Sequence, residues 1–564
     1  MPRSGGAFPA AAGGAPVARP LKYSRWRAAS LATVYLLFGI HIAHWRIHGS
    51  TLAPLELNEV LYTVELGILT AGFLFMVVAL LSVLVFGRFF CSWMCHILAL
   101  EDLAAWLLKK VGIRPRAVRS RVLLLVPLSA MIYMFIWPQI TRLAEGRPLP
   151  ALHIRTDAHG WASFVTTNFW RNLPGPWIIA LTFAVCGFAI VYFLGTRSFC
   201  TNGCPYGVVF GFADHFAPGK IIATGDCAKC GICSSVCQSH VQVQEETRLY
   251  GKVVSPNCMK DLDCTSACPN GRLHYGFTKP SWFASWRRDK TLTIPYDFSP
   301  GEDLLMAAVF LVTLFVFRGL YQAIPFIMTL GLCAILAYLS VLTVRVIGKA
   351  DVRLNSLQLK QSGRITTRGW VFAAMAAALA IFIVHSGFIR YHEFKGKRAF
   401  EAVEAGMTRN GHAQPELMTA SLSHLQFCDT WGLVRPPDLD RKLVRLYMAS
   451  GSPAAAEAHI RRILSNQPQD GEWRVALAAV LLTKGAVDEA VAELHRVTAP
   501  VPPLSSGDSH ADEMRAQAHV MLGEICTAKG DMGSARREFT LALEANPSSA
   551  AAAAALRNLD GPPL

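Results

Sequence analysis

The sequence predicts a mainly α-helical, polytopic membrane protein of about seven spans, with a small α+β cysteine-bearing insert and a C-terminal α-solenoid. Three observations predict it. Apolar residues are gathered in long blocks, eleven of the 15 cysteines crowd into four short groups, and a 34-residue period recurs near the C-terminus. Of 564 residues 52% are hydrophobic and 16% charged, which excludes a disordered tail protein and an ordinary cytosolic enzyme.

The first 27 residues begin with a Gly, Ala and Pro-rich stretch and read as a flexible leader. Seven segments are apolar and long enough to cross a bilayer: Ala28–Trp45, Val64–Phe86, Val122–Ile140, Trp177–Gly195, Leu304–Tyr321, Ala323–Val346 and Trp370–Phe388. A cleaved signal peptide is rejected for the first, because its apolar run is long and no A-x-A site follows. The segments divide the chain into a four-span region (28–199), a cysteine-rich insert (200–300), a three-span region (301–390) and an outer domain (391–564).

The net charge of +15 is uneven: from Lys395 onward 18 basic face 20 acidic residues, leaving 36 against 19 before it. The excess flanks the apolar blocks, as in Lys109, Lys110, Arg114, Arg116, Arg119 and Arg121, or Arg345, Lys349, Arg353, Lys360, Arg364 and Arg368. This is the positive-inside pattern, so nucleic acid is excluded and membrane lipid is the partner. It puts the N-terminus and the insert in the cytoplasm and the C-terminal domain in the periplasm, in a bacterial inner membrane.

In that outer domain Gly451 and Gly485 lie 34 residues apart, and Gly530 follows after an insertion around Pro500 to Ser509. Five residues on come Ala456, Ala490 and Ala535; nine on, Ile460, Leu494 and Phe539; seventeen on, Pro468, Pro502 and Pro547. Small residues let paired helices approach and Pro ends each second helix, so the region resembles an α-solenoid of tetratricopeptide type.

Cys227, Cys230, Cys233 and Cys237 form C-x2-C-x2-C-x3-C, whose short spacers bring three thiolates from one loop to three corners of a cubane. Zinc competes, but four crowded cysteines with a similar group nearby suit iron and sulfide better. The second run, Cys258, Cys264 and Cys268, keeps the spacing with Asp261 in place of the second cysteine. In two-cluster ferredoxins the fourth cysteine of each run serves the other cluster. That assigns Cys227, Cys230, Cys233 and Cys268 to one [4Fe-4S] cluster, and Cys237, Cys258, Cys264 and the open position Asp261 to the second. Oxygen holds iron less covalently than sulfur, so the second is expected as a labile [4Fe-4S] or a [3Fe-4S] centre.

Cys91-x3-Cys95 and Cys200-x3-Cys204 each follow a span, with an Arg three residues before the first cysteine, so they are an internal duplication. They read as one four-cysteine site for a cluster or further metal, as redox disulfides or transient copper sites, or as structural thiols, with the arginines favouring thiolate. His96 is an added ligand or a hydrogen-bonded neighbour. Cys186, Cys333, Cys428 and Cys526 read as buried free thiols.

From about Leu31 to Phe277 the chain resembles the polytopic membrane 4Fe-4S ferredoxin family. This family includes the membrane ferredoxin of periplasmic nitrate reductase, the nitrous-oxide reductase regulator and the cytochrome oxidase assembly ferredoxin. The motifs are Gly87-Arg88-Phe89-Phe90-Cys91-Ser92-Trp93-Met94-Cys95, Cys200-Thr201-Asn202-Gly203-Cys204-Pro205 and the two cysteine runs. His96 replaces the family's proline after the first pair, and Asp261 replaces a cysteine. The resemblance implies electron transfer across or along the membrane.

His41, His44 and His48 share a helix face near the outer end of the first span, with His153, His159 and His385 on the same side. They are candidates for haem, copper or a quinone head, against interfacial histidines that meet water. Glu101, Asp102, Asp214 and His215 read as a polar cap at the headgroup boundary. The expected function is an iron-sulfur carrier relaying single electrons between a cytoplasmic or quinone donor and a respiratory or periplasmic partner docked on the repeats. The alternative is a copper-reducing assembly factor for a respiratory enzyme.

Overall fold

The structure is a computed structural model that describes residues 22–55, 59–157, 162–170, 173, 175–225, 227, 229–282, 296–322, 324–410, 414–436, 438–499 and 509–560. The leader up to residue 21, His159 and Pro502 lie outside the described residues. The chain forms two compact units: Met1–Gly319 with Ile324–Ile383, and Leu320–Ala323 with Val384–Leu564.

Among the described residues six helices are long and apolar enough to cross a membrane: Lys22–His48, Arg121–Ala144, Pro176–Leu194, Pro300–Phe317, Phe326–Gly348 and Thr367–Thr408. Large apolar side chains on them, such as Leu36, Leu311 and Ile347, face outward, which water would penalise and lipid rewards. The chain is a membrane protein. Phe326–Gly348 is the most buried of the six; its Cys333, Ala334, Ala337 and Val341 pack with Leu123, Ile190, Leu194 and Met306 in the main core.

The predicted second span, Val64–Phe86, is instead two helices, Glu59–Leu66 and the apolar Ala71–Phe86. Thr70 ends the break by accepting from the Phe73 N–H, and the Glu59 carboxylate accepts from the Gly72 N–H at 2.8 Å. Two orphan donors of a buried helix start are thereby satisfied. Arg121–Ala144 and Pro176–Leu194 each contain a π-helical stretch, Ile132–Ile136 and Phe183–Ala189. Between the sixth and seventh predicted spans the sequence suggested only a basic loop. The structure has an antiparallel three-stranded meander there, Val352–Leu354, Leu357–Gln361 and Arg364–Ile365.

The insert is built on two antiparallel strands, Gly219–Ala223 and Leu273–Phe277, paired from Gly219↔Phe277 to Ala223↔Leu273. Short helices Ile232–Ser235, Val243–Tyr250 and Asp263–Ala267 lie between them in sequence. Its core is made by the ligand-type cysteines themselves: Cys233, Cys237, Cys258 and Cys264 pack with Ile221, Val241, Val253 and Leu273.

The second unit is a run of helical hairpins from Pro415–Trp431 to Ala550–Asp560. The period positions are its core: Ala456, Ala490, Ala535, Ile460 and Leu494 are 0% exposed and Phe539 2%. Gly451, Gly485 and Gly530 all have φ between +69° and +81°, the left-handed turn that closes a first helix and favours glycine. Of the lone cysteines, Cys186, Cys333 and Cys428 are buried as expected, whereas Cys526 is half-buried.

Candidate functional site

The two cysteine runs adopt one backbone conformation twice. Lys229 and Gly231 flank Cys230 with φ of +53° and +75°, and Lys260 and Leu262 flank Asp261 with φ of +57° and +63°. Left-handed backbone costs a non-glycine residue about 1–2 kcal/mol, so the second run holds the ligand-loop shape against local preference. Asp261 thus occupies the place of Cys230. It is 5% exposed, and its Oδ2 is buried without a hydrogen-bond partner.

Cys227, Cys230, Cys233 and Cys268 line one cavity, with Gly225, Gly231, Arg272 and Pro269 on its walls. The cavity opens at Cys227, which is exposed. The second set is enclosed. Cys237 and Cys264 are pushed well above the ordinary thiol range, first by burial and then by the charges of Asp261 and Cys258, which shows how closely these groups face one another. Such a set ionises together only around a cation, so the donor chemistry of both sets fits iron–sulfur ligation.

The C-x3-C pairs, over 100 residues apart in sequence, come together. Burial and the Cys91 charge push the Cys95 thiol up to about 11; burial, Cys95 and Cys91 push Cys204 up to about 12. Cys200 is raised by burial, then by Glu101 and the other three thiols. Arg88 lowers the Cys204 thiol, as a nearby guanidinium should. Arg88 does bond Cys91, but Arg197 is drawn to Asp102 at 3.0 Å, and burial with mutual thiolate repulsion outweighs both guanidinium groups. All 15 cysteines are free thiols. Among the described residues, no three of these sulfurs lie within 4.8 Å of one another, the compact arrangement a single ion would use.

Of the residues read as a polar cap, Glu101 and Asp214 are buried, whereas Asp102 and His215 are half-buried. Glu101 is 1% exposed, accepting from the Phe199 N–H at 3.0 Å and from the Cys200 thiol at 3.2 Å. Burial pushes it up to about 7. Asp214, also 1% exposed, accepts from the Arg88 N–H (2.9 Å), Lys220 Nζ (2.7 Å) and Lys260 Nζ (2.7 Å). Water cannot solvate these groups, so each is held by donors from distant segments. One carboxylate ties the first pair, the second pair, the first strand of the insert and the second cysteine run.

Further contacts seat the insert on the pairs. Trp93 donates from Nε1 to the Lys260 carbonyl at 3.1 Å and stacks on Phe89, both packed against the insert core. Met259, next to Cys258, shares a buried cluster with Cys200, Leu98 and Leu31, and Cys95 packs against it. Arg27, in the first turns of the helix Lys22–His48, is 3% exposed and reaches Asp102, the Asp261 carbonyl and Asp263. Sequence reasoning gave Lys220, Met259 and Lys260 no role; the only signal for the last two was a thioether and a cation inside the second cysteine run.

On the histidine face of the first span, His44 and His48 lie together with ring centroids 4.6 Å apart. His41 Nε2 donates to the Leu52 carbonyl, His44 contacts the Thr51 hydroxyl and His153 donates to the Ala151 carbonyl. His385 belongs to the other unit and donates to the Trp431 carbonyl. His41, His44 and His153 are held by these local partners, whereas the Nδ1 of His385 is buried without one.

Comparison with known proteins gives the same picture. A family model described as a 4Fe-4S binding domain matches residues 68–114 and 177–222, one match around each C-x3-C pair; a tetratricopeptide repeat model matches residues 441–503. The "Ferredoxin-type protein NapH" of Haemophilus influenzae is 25% identical over 275 residues, covering 43% of this chain and 85% of that protein. The "Methylamine utilization ferredoxin-type protein MauN" of Methylobacillus flagellatus is 26% identical, covering 28% of this chain and 50% of its own length. The "Putative electron transport protein YccM" of Escherichia coli is 24% identical, covering 37% of this chain and 57% of its own length. The chain thus spans only about half the length of the last two. Among solved structures, the tetratricopeptide protein YrrB aligns with 33% of the chain at 16% identity and a TM-score of 0.23, so the repeat assignment rests on the family match. The chain is therefore a membrane protein similar to the ferredoxin-type electron-transport proteins, with paired 4Fe-4S binding domains and a C-terminal tetratricopeptide repeat.

Proposed function

We propose that this protein relays single electrons through three cysteine sets: Cys227, Cys230, Cys233 and Cys268; Cys237, Cys258, Cys264 and Asp261; and Cys91, Cys95, Cys200 and Cys204. Iron–sulfur centres bound there supply one-electron redox chemistry. The chain's own residues do the rest. Cysteines hold the first set at an open cavity and the other two in the buried interior, Asp261 offers an oxygen where the first run has sulfur, and the buried cations Arg88, Lys220 and Lys260 face the anionic sets.

The observation that carries this reading is the joint between the second and third sets. Met259 and Trp93 pack across it, and Asp214 ties both sides together. Cysteines on the two sides would hold their centres on either side of this packed joint. The positive-inside loops support a cytoplasmic insert, with the repeats on the periplasmic side docking a partner protein. Quinone or a respiratory subunit completes the path to that side.

The test is iron and acid-labile sulfide content with electron paramagnetic resonance of the full chain, purified anaerobically in detergent. About seven or eight irons, with a three-iron signal on oxidation, support two centres in the insert; a higher count that falls in Cys91→Ser with Cys200→Ser supports the third. Bound copper without iron would sink the relay and favour the copper-handling alternative.

A further inference from the structure

The internal duplication gives the two C-x3-C pairs equivalent arginines, Arg88 and Arg197, and the fold treats them differently. Both are buried, Arg88 at 2% and Arg197 at 0% exposure. Arg88 has ordinary backbone, with φ of −65°, and its Nη1 donates to the Pro256 carbonyl at 2.9 Å. Arg197 is held at φ of +63°, the left-handed region that a residue with a side chain avoids. Among the described residues, none gives its Nε, Nη1 or Nη2 a hydrogen bond. Nη2 lies 3.0 Å from Asp102 Oδ1 as an ion pair without hydrogen-bond alignment.

That ion pair does not account for the group. Asp102 is shared with Arg27, whose Nε donates to it at 3.2 Å. An arginine cannot shed its proton, so its buried N–H groups call for acceptors. Burial works against the charge of Arg197, and the anions that hold it are Asp102, Asp261, Glu101 and Cys200, in that order. Asp261 belongs to the second cysteine set and Cys200 to the third, so this guanidinium faces both. Glu101 already accepts from the Phe199 N–H and the Cys200 thiol, whereas Asp261 Oδ2 has no partner.

We infer that Arg197 serves the second and third cysteine sets together: its free N–H groups donate to the sulfurs of the centres held there, and its fixed charge raises both reduction potentials. The inference rests on the electron-relay reading and adds what sets the potential at the joint between the two sets. Net charge and hydrogen bonds to sulfur are two levers on the potential of an iron–sulfur centre. A reduced centre carries one more negative charge than an oxidised one, so a cation beside it favours reduction. The electron comes from the donor, and Arg197 gives up no proton. Arg27 does not replace it, because Nη1 of Arg27 is committed to the Asp261 carbonyl at 3.1 Å and to Asp263 at 3.3 Å.

The experiment uses the full chain, iron-loaded, purified anaerobically in detergent and labelled with nitrogen-15 in the arginine guanidinium groups. Pulsed electron paramagnetic resonance of the reduced parent should show nitrogen-15 coupling to the second and third centres, and Arg197→Lys should remove it. Redox titration of Arg197→Gln should find both centres harder to reduce by at least about tenfold in the ratio of reduced to oxidised form, about 59 mV for one electron. The centre of the Cys227 set should move least. Arg197→Lys keeps the charge without the guanidinium fork and should recover most of the potential.

A parent spectrum with no arginine coupling overturns the inference, and that result needs no variant to fold. Unchanged potentials in iron-loaded Arg197→Gln overturn it too, as does an equal shift of all three centres, the mark of general loosening. Coupling and shift confined to one centre overturn the sharing. Where Arg197→Gln loses its iron, the parent coupling and its loss in Arg197→Lys decide. A parent chain that binds no iron fails the relay reading itself.

Discussion

Lys260 donates a hydrogen bond to Asp214 across 2.7 Å with both side chains 1% exposed, joining the second cysteine run to the helix that follows the second C-x3-C pair. Lys220 takes the other oxygen of the same carboxylate at 2.7 Å. Removing one member of such a buried set leaves uncompensated charge, a cost of about 3–5 kcal/mol. Asp214→Asn should therefore loosen the insert from the membrane helices. Hydrogen exchange in strands Gly219–Ala223 and Leu273–Phe277 should rise strongly, and Lys260→Met together with Asp214→Asn should be milder than Asp214→Asn alone.

The same carboxylate sets an acid limit. Burial raises its pKa, but the charges of Lys260 and Lys220 outweigh that and hold it below the ordinary range. A depressed folded pKa gives stability that is complete above the unfolded value of about 3.9 and is lost as pH falls through the folded one. Thermal melts of the full chain in detergent should lose stability below about pH 4, and Asp214→Asn should flatten that limb.

Asp261 stands where Cys230 stands in the other run, with an unpartnered oxygen in a closed site. Asp261→Cys should abolish the three-iron signal and slow iron loss to a chelator. Asp261→Ala should strengthen the three-iron signal. Unchanged spectra in both variants would count against this residue as the site of the missing ligand.

In the repeat domain, Ala490 is 0% exposed between paired helices, and Leu494 fills the space beside it. Ala490→Leu overpacks the pair and should cost about 1–3 kcal/mol. Leu494→Ala opens a cavity and should cost about 2–5 kcal/mol. Calorimetry of the full chain should show the repeat transition falling while cluster spectra stay constant.

Glu101 satisfies the buried Phe199 N–H and the Cys200 thiol. Glu101→Ala leaves that N–H without a partner, a cost of about 1–3 kcal/mol. The start of the Ser198–Asn202 turn should become more exchangeable, with Glu101→Gln retaining most of the protection.

Much of this architecture was legible because it is local. Four cysteines two and three residues apart bend one loop around a cluster whatever surrounds them, and a 34-residue period of Gly, Ala and a large apolar residue builds the same hairpin each time. The break at Gly67–Thr70 inside the predicted second span was not legible, since Gly67 and Thr70 lower a hydropathy average only slightly and the cap from Glu59 comes from outside the segment.

The sequence by itself determined the apolar helices, the repeat, the iron-type cysteine spacing and the vacancy at Asp261, because each depends on residues within a few turns of chain. Only the tertiary structure decided that the C-x3-C pairs converge, that Met259 and Trp93 fill the joint, that Glu101 and Asp214 are buried ties where a polar cap was expected, and that Arg27 is buried with them. The physical reason is that a charged residue beside a span reads the same in sequence whether water or a buried counter-charge solvates it. The partner that distinguishes the two lies 46 residues away for Asp214 with Lys260 and 236 away for Arg27 with Asp263.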